Sequence, residues 1–189
     1  MKKLKRKNGL TLVEMLCAIL ILTLLSVGIV TCMNSATKTY SRVLRDSDTA
    51  SLTHNLDNNL SDMLRYSSNV KNCPNGYSDN TGINVSEAKM VFKNLEYCSN
   101  LAFFYLDTRS GVGKLKYVDV QDLGNMYDVV NEGTYGDTLG ISDFSCVYYP
   151  EEGNQEAGCF EISYTVYSTD APGQTLEHTC CVRQLNPQK

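Results

Sequence analysis

The stretch Gly9-Leu-Thr-Leu-Val-Glu-Met-Leu16 joins two contrasting segments of the chain. A basic segment without acidic residues precedes it, and an apolar run continues from it to Val30. Glu14 is the only charged residue between Leu10 and Val30. A helix over residues 10–30 would rise about 31 Å, which matches the thickness of the hydrocarbon core of a bilayer. The pattern therefore predicts a membrane-spanning helix that carries one carboxylate.

The basic segment predicts the orientation of this helix. It contains Lys2, Lys3, Lys5, Arg6 and Lys7. Basic residues flanking a membrane helix stay in the cytoplasm, so the C-terminal part is expected outside, with the helix as a single pass through the cytoplasmic membrane.

Other export signals fit the same segment less well. A secretory signal peptide has a shorter apolar core, followed by a small-residue cleavage site that residues 34–36 match poorly. A lipoprotein signal needs a small residue before its cysteine, whereas Thr31 precedes Cys32. A plain signal anchor fits the hydropathy equally well but leaves Glu14 unexplained, since charged groups in membrane helices usually have a partner.

Residues 2–30, with Gly9 before the apolar run and Glu14 inside it, resemble the class III leader of type IV pilins and pseudopilins. The resemblance implies that a prepilin peptidase/methyltransferase cleaves between Gly9 and Leu10 and methylates the new amine of Leu10. It also implies that Glu14 pairs with that amine in a neighbouring subunit during filament assembly. Major pilins often have a proline in the second half of this helix. Here the first proline is Pro74, which favours a minor pilin or a pseudopilin.

Beyond the apolar run the sequence predicts a helical continuation and then strands. Leucines recur every four residues from Leu52 to Leu64 among polar residues, which is typical of a helix with one buried stripe. The predicted organisation is a leader at 1–9, a transmembrane helix at 10–30, its amphipathic continuation at 31–70, a loop rich in Gly, Pro, Asn and Asp at 71–88, and a β-rich domain at 89–189 outside the membrane. The predicted fold is α+β and pilin-like, with an antiparallel sheet packed on the second half of the long helix.

Alternating apolar residues mark the predicted strands near the C-terminus. Two sets alternate strictly: Phe160, Ile162, Tyr164 and Val166, and then Leu176, His178, Cys180 and Val182. An earlier set is expected to face inward as well: Ile141, Phe144, Cys146 and Tyr148. Since successive residues of a strand point to opposite faces, Cys180 is expected inward and Cys181 outward.

Composition argues against several functional classes. Without residues 1–9 the chain has 12 basic and 21 acidic residues, a net charge of −9, so no direct nucleic-acid binding is predicted. Two histidines leave little material for catalysis or metal binding, and both are interpreted as structural. No phosphate-binding loop, zinc-protease motif or nucleophile elbow occurs in the sequence. The sequence therefore predicts no catalytic residues, no cofactor and no metal, and hence not an enzyme.

Six cysteines follow the apolar run: Cys73, Cys98, Cys146, Cys159, Cys180 and Cys181. In an exported domain they are candidates for three disulfides, with 15 possible connectivities. The alternative is that some remain reduced and act as small buried apolar residues. None of them forms a CxxC pair, which disfavours the common zinc motifs.

The function predicted from these features is that of a minor pilin or pseudopilin. Its implied partners are the processing peptidase, other pilin or pseudopilin subunits and the membrane, with an assembly platform and its ATPase acting indirectly. The mature protein is expected first in the cytoplasmic membrane and then in a cell-surface filament. Filaments for secretion, DNA uptake, adhesion and motility share this leader. Two alternatives are a signal-anchored binding module that does not polymerise and an exported surface enzyme.

Overall fold

The computed structural model describes residues 11–79, 82–136, 138–151 and 154–185, and only the backbone at 154–157. The elements follow in the order α1 (Leu12–Arg65), β1 (Ser68–Asn72), β2 (Tyr77–Ser78), β3 (Asn84–Val85), β4 (Met90–Lys93), β5 (Ala102–Asp107), β6 (Lys114–Asp119), β7 (Asp122–Asp128), α2 (Glu132–Tyr135), β8 (Leu139–Glu151), β9 (Asn154–Ser168) and β10 (Thr175–Arg183). The chain divides into two compact units, Met1–Ser47 and Asp48–Lys189. All the strands belong to the second unit.

The leucine stripe of α1 is buried, as its spacing predicts. Leu52, Leu56, Leu60 and Leu64 are fully inaccessible to solvent, and Met63 is nearly so. The helix ends at Arg65, whereas its continuation was predicted to residue 70. The last residues of the predicted helix belong instead to β1. After Arg65, both the backbone N–H and the hydroxyl of Ser67 donate to the carbonyl oxygen of Leu64, at 3.1 and 2.7 Å. No glycine or proline marks this turn, so the sequence contains no conventional helix stop.

The strands confirm the predicted α+β class and its antiparallel pairing. They form a five-stranded sheet in the order β1-β4-β5-β6-β7 and a three-stranded sheet in the order β10-β9-β8. The single sheet expected from the sequence is thus divided into two. The two sheets and the α1 stripe share one apolar core, to which Phe92, Phe104 and Phe160 contribute large side chains.

A second apolar cluster covers the opposite face of the five-stranded sheet. Val91, Phe103 and Val118 lie on that face, and Tyr77 and Val85 pack on them. These last two residues belong to the short antiparallel pair β2-β3. Residues 71–88, expected as a loop, therefore contain the end of β1 and this pair. The missed strands are only two residues long, which is too short for an alternating pattern to be recognised.

Strand β8 contains a β-bulge, which accounts for the uneven spacing of its buried apolar residues. Ile141 is buried, and so are Cys146 and Tyr148, although Cys146 follows Ile141 by five positions, an odd offset. In a regular strand these side chains would point to opposite faces. The register against β9 shifts between Ser142 and Ser145, and Asp143 has a positive φ of 53°. This bulge restores the inward orientation of the second half of the strand.

Strand β9 follows its predicted alternation most closely, whereas Leu176, the first residue of the set predicted in β10, is 45 % exposed. Phe160, Ile162, Tyr164 and Val166 are all at most 2 % exposed. Cys180 packs partly buried against the core, whereas Cys181 is exposed, as expected from their opposite orientations. The inner face of β10 therefore directs residues 178 and 180 towards the second unit's portion of α1.

Candidate functional site: the N-terminal helix

Thr11 and Glu14 form a reciprocal cap at the start of α1. The backbone N–H of Thr11 donates to Glu14 Oε2 at 2.8 Å, and the Thr11 hydroxyl donates to the same oxygen at 3.0 Å. In return, the backbone N–H of Glu14 donates to Thr11 Oγ1 at 3.3 Å. With Thr at the N-cap and Glu at the third helical position, this is a capping box. The carboxylate therefore fixes the first turn of the helix.

The sequence prediction gave Glu14 a role in assembly but overlooked Thr11. The signal was present, since Thr-x-x-Glu directly before an apolar run is a recognisable helix start. The cap supplies an internal partner for the Glu14 carboxylate. Its second oxygen, Oε1, accepts no hydrogen bond from the described residues. One carboxylate oxygen therefore stays available to a donor from outside the chain.

The helix after this cap presents apolar side chains in every direction. Leu12 is 81 % exposed, and the large side chains of Leu22, Leu25 and Ile29 are each at least 60 % exposed. Within the described part of the chain, α1 is the one helix long and apolar enough to span a membrane, and its most apolar window is entirely unburied. An apolar surface of this extent needs lipid or protein around it. The feature indicates membrane anchoring.

Three hydroxyl side chains within the apolar segment bond to the helix itself. Thr23 donates to the carbonyl oxygen of Leu20, and Ser26 to that of Leu22, both at 2.8 Å. Thr31 donates likewise to the carbonyl oxygen of Val27. These local bonds satisfy the hydroxyl groups without water, as an apolar environment requires.

The predicted cleavage position, Gly9–Leu10, and the basic residues before it lie outside the described residues. A family model described as the prokaryotic N-terminal methylation motif matches residues 4–30, which include Glu14 and most of the apolar run. The chain carries the prepilin-type methylation motif of type IV pilins and pseudopilins. No curated protein and no solved structure matches the chain.

The capped start and the exposed apolar run of the N-terminal helix both fall within the prepilin-type motif. It implies processing by prepilin peptidase and assembly with other pilins. Pilins are generally not enzymes. In the structure, the described portion of the motif comprises the Thr11–Glu14 cap and the exposed apolar run up to Val30.

The six candidate disulfide cysteines lie in the second unit, at different depths. All are free thiols in the structure. Cys98 and Cys146 are buried, and burial raises the pKa of both thiols. Cys159 and Cys181 lie on the outer face of neighbouring strands with their thiols close enough to interact, and Cys73 lies near the start of the β2-β3 segment. The pairing of these cysteines stays a prediction.

Both histidines of the chain lie in the described residues. His54 is exposed on α1, where its Nε2 atom lies 3.1 Å from Asn58 Nδ2. His178 is partly exposed, and its Nε2 atom lies 2.8 Å from Asp57 Oδ2. Cys180 lies beside this pair, and burial together with the nearby Asp57 carboxylate raises the pKa of its thiol to about 12. No sequence motif signals this grouping, because Asp57 and His178 are far apart in the chain.

Proposed function

We propose that this chain is a minor pilin or pseudopilin that is cleaved between Gly9 and Leu10, methylated at Leu10 and assembled into a type IV pilus-like filament. The observation that carries the proposal is the methylation motif on a capped helix whose first, membrane-length apolar stretch is unburied. Neighbouring helices of the same kind would replace lipid around that surface. The two environments are similarly apolar, so transfer from membrane to filament is feasible at modest energetic cost.

The location and partners follow from this proposal. The basic segment before Gly9 would hold the N-terminus inside the cell, and the β-rich second unit would lie outside. The prepilin peptidase/methyltransferase would act first, and an assembly platform with its ATPase would then extract the subunit. The absence of a proline before Pro74 supports an accessory subunit over the major one. The filament would serve secretion, DNA uptake, adhesion or motility.

Mass spectrometry of the mature N-terminus tests the proposed processing. The full chain is expressed in a host with an active prepilin peptidase, purified in detergent and digested. We expect a terminal peptide that begins with N-methyl-Leu10, and the same chain should retain Met1 in a host that lacks the peptidase. An intact N-terminus in the competent host, or a cut near Ala36, would contradict the proposal and favour a signal-anchored binding module or an exported enzyme.

Glu14 is proposed to pair with the Leu10 amine of a neighbouring subunit. Oε1 supports this role, because the capping box uses only Oε2 and Oε1 accepts no hydrogen bond from any residue that the structure describes. Three substitutions distinguish pairing from capping. Glu14→Gln keeps an oxygen for the cap but removes the charge, Glu14→Ala removes both, and Thr11→Ala removes the hydroxyl of the cap but keeps the charge.

The pairing role predicts different outcomes for the two residues. Both Glu14 variants should be cleaved normally but be depleted from sheared filaments, as measured by quantitative immunoblotting, whereas Thr11→Ala should be incorporated. Incorporation of Glu14→Gln at the level of the unaltered chain would show that the cap suffices and that the charge is dispensable. Loss of the Thr11→Ala subunit to the same extent as Glu14→Gln would also contradict a role specific to the charge.

A further inference from the structure

Three metal-binding side chains converge between α1 and β10 within the second unit. His178 and Cys180 are two residues apart in β10 and therefore lie on the same face of the strand. Asp57 approaches them from α1. One ligand atom from each of the three residues lies within 4.8 Å of the other two. The fold thus places sulfur, nitrogen and oxygen donors at one point.

The histidine and the carboxylate are close without forming a well-directed hydrogen bond. His178 Nε2 lies 2.8 Å from Asp57 Oδ2. The nitrogen atom is buried, yet it has no hydrogen-bond partner of acceptable geometry among the described residues. In a simple ion pair the N–H group would point at the carboxylate oxygen. Here the two atoms lie side by side, as two ligands of a common ion do.

Neighbouring groups hold the donors in this orientation. The hydroxyl of Tyr164 lies 2.8 Å from Asp57 Oδ1 and donates to it, whereas His178 lies next to the other carboxylate oxygen, Oδ2. The Tyr164 ring also contacts the His178 ring, with ring centroids 5.3 Å apart. Outer hydrogen bonds of this kind commonly orient the ligands of metal sites.

We propose that Asp57, His178 and Cys180 bind a divalent ion of the zinc class, with one coordination position left for water or an external ligand. Cysteine sulfur, histidine nitrogen and a carboxylate oxygen are the three donor types that Zn²⁺ uses in proteins. In a tetrahedral zinc site the donors lie roughly 3.3–3.6 Å apart, so small side-chain rotations would bring this set into place. The ion can enter from solvent, since the side chains of Asp57 and His178 are 27 % and 30 % exposed.

Cys180 separates this proposal from the alternative, a histidine–aspartate ion pair that strengthens the contact between helix and sheet. In the ion pair the thiol stays protonated beside the Asp57 carboxylate, whereas in the metal site it is a ligand and binds as the thiolate. Co²⁺ is a suitable probe because it occupies zinc sites and reports a bound thiolate through an intense charge-transfer absorption band. The readout is therefore independent of any filament function.

The experiment uses the full chain in detergent micelles, reduced, stripped with a chelator and titrated with Co²⁺. We expect a thiolate-to-cobalt band that saturates at one ion per chain and disappears when Zn²⁺ is added. Cys180→Ser should abolish the band, and Cys181→Ser, its matched control on the opposite face, should keep it. His178→Asn and Asp57→Asn should weaken Co²⁺ binding at least about tenfold, and His54→Asn and Asp62→Asn should leave it unchanged.

Tyr164→Phe tests the orienting hydrogen bond and should weaken Co²⁺ binding by about 10- to 100-fold. Circular dichroism of each metal-free variant checks that the fold is retained. Three results would each overturn the proposal: no band with the unaltered chain, a band that persists in a folded Cys180→Ser chain, or a band that is lost in Cys181→Ser. The last result would assign the cobalt to the outer cysteines.

Discussion

Gln184 connects the segment after β10 to the end of α1 through a buried hydrogen-bond chain. The side chain is 4 % exposed, and its Nε2 atom donates to the carbonyl oxygen of Ser67 at 2.7 Å. Its Oε1 atom accepts from the Tyr148 hydroxyl at 2.8 Å. Ser67 is fully buried at the point where the chain leaves the helix. Replacing Gln184 with alanine therefore removes the side-chain donor of a carbonyl group at the helix end.

The expected loss of stability follows from this geometry. A buried carbonyl without its donor costs about 1–3 kcal/mol. The Tyr148 hydroxyl also loses this acceptor, and the truncation leaves space in the interior. We therefore expect Gln184→Ala to lower the free energy of unfolding by about 2–4 kcal/mol. Tyr148→Phe removes the hydroxyl that donates to Gln184 Oε1 and should cost about 1 kcal/mol.

Urea unfolding of the full chain in detergent micelles measures these changes. Near-ultraviolet circular dichroism of the 12 tyrosines provides the signal, because the chain has no tryptophan. The midpoint should fall without a change in the slope with denaturant, since the surface exposed on unfolding stays the same. Gln121→Ala, at an exposed position, serves as the control and should stay within about 0.5 kcal/mol.

A double-mutant cycle isolates the contact between Gln184 and Tyr148. The two substitutions should be less than additive, with a coupling of about 0.5–1.5 kcal/mol. A Gln184→Ala chain as stable as the Gln121→Ala chain would rule out a stabilising role for the bond to Ser67, because that carbonyl would then have found another donor at no cost. Strict additivity in the cycle would refute the specific bond to Tyr148.

Two further predictions concern the core and one exposed ion pair. Leu56→Ala, at a fully buried position of the α1 stripe, should lower the free energy of unfolding by about 2–5 kcal/mol, as measured by urea unfolding. Leu44 is 44 % exposed, so Leu44→Ala should stay within about 0.5 kcal/mol. Equal losses would contradict a core confined to the second half of the helix. The Arg109 side chain hydrogen-bonds to Asp107 and lowers the pKa of the Asp107 carboxyl. The ionised carboxylate therefore stabilises the fold at pH values above its ordinary pKa near 3.8, and this stabilisation is lost as the pH falls through the lowered pKa. Asp107→Asn should therefore destabilise the protein at pH 7 by no more than about 1 kcal/mol, and its difference from the unaltered chain should shrink on acidification; a difference that grew with acid would contradict the assignment.

Periodicity explains how much of the fold was predictable. The four-residue spacing from Leu52 to Leu64 and the two-residue spacing from Phe160 to Val166 each place a run of apolar groups on one face, and these runs form the core. The predicted helical segment runs to residue 70, past the helix end at Arg65, and the pair β2-β3 was not predicted. Near the helix end, the backbone N–H of Leu185 donates to the carbonyl oxygen of Arg65, and Gln184 Nε2 donates to that of Ser67. Contacts between residues so far apart in the chain leave no local sequence signal, and the pair β2-β3 is too short to show a period.

The two candidate sites differ in predictability for a similar reason. The N-terminal motif is continuous, so Glu14 could be recognised from its neighbours, and Thr11 was recognisable from the same short pattern. The group of Asp57, His178 and Cys180 joins a helix to the last strand. Only the docking of the α1 stripe on the sheet brings these residues together. A single sequence contains no local signal for a contact between residues so far apart in the chain, and His178 was therefore interpreted as an ordinary structural histidine.

The two halves of α1 need different surroundings for their apolar side chains. From Leu52 to Leu64 the apolar groups form one stripe, which a single partner can cover, and the chain's own sheets provide that partner. From Leu12 to Val30 the apolar groups surround the helix, so a single packed face cannot cover them. They need an environment that encloses the helix, and both lipid and a bundle of like helices meet this condition. A helix that is apolar on all sides can therefore exchange lipid for a bundle of like helices. A helix with a single apolar stripe would instead need one fixed partner in both environments.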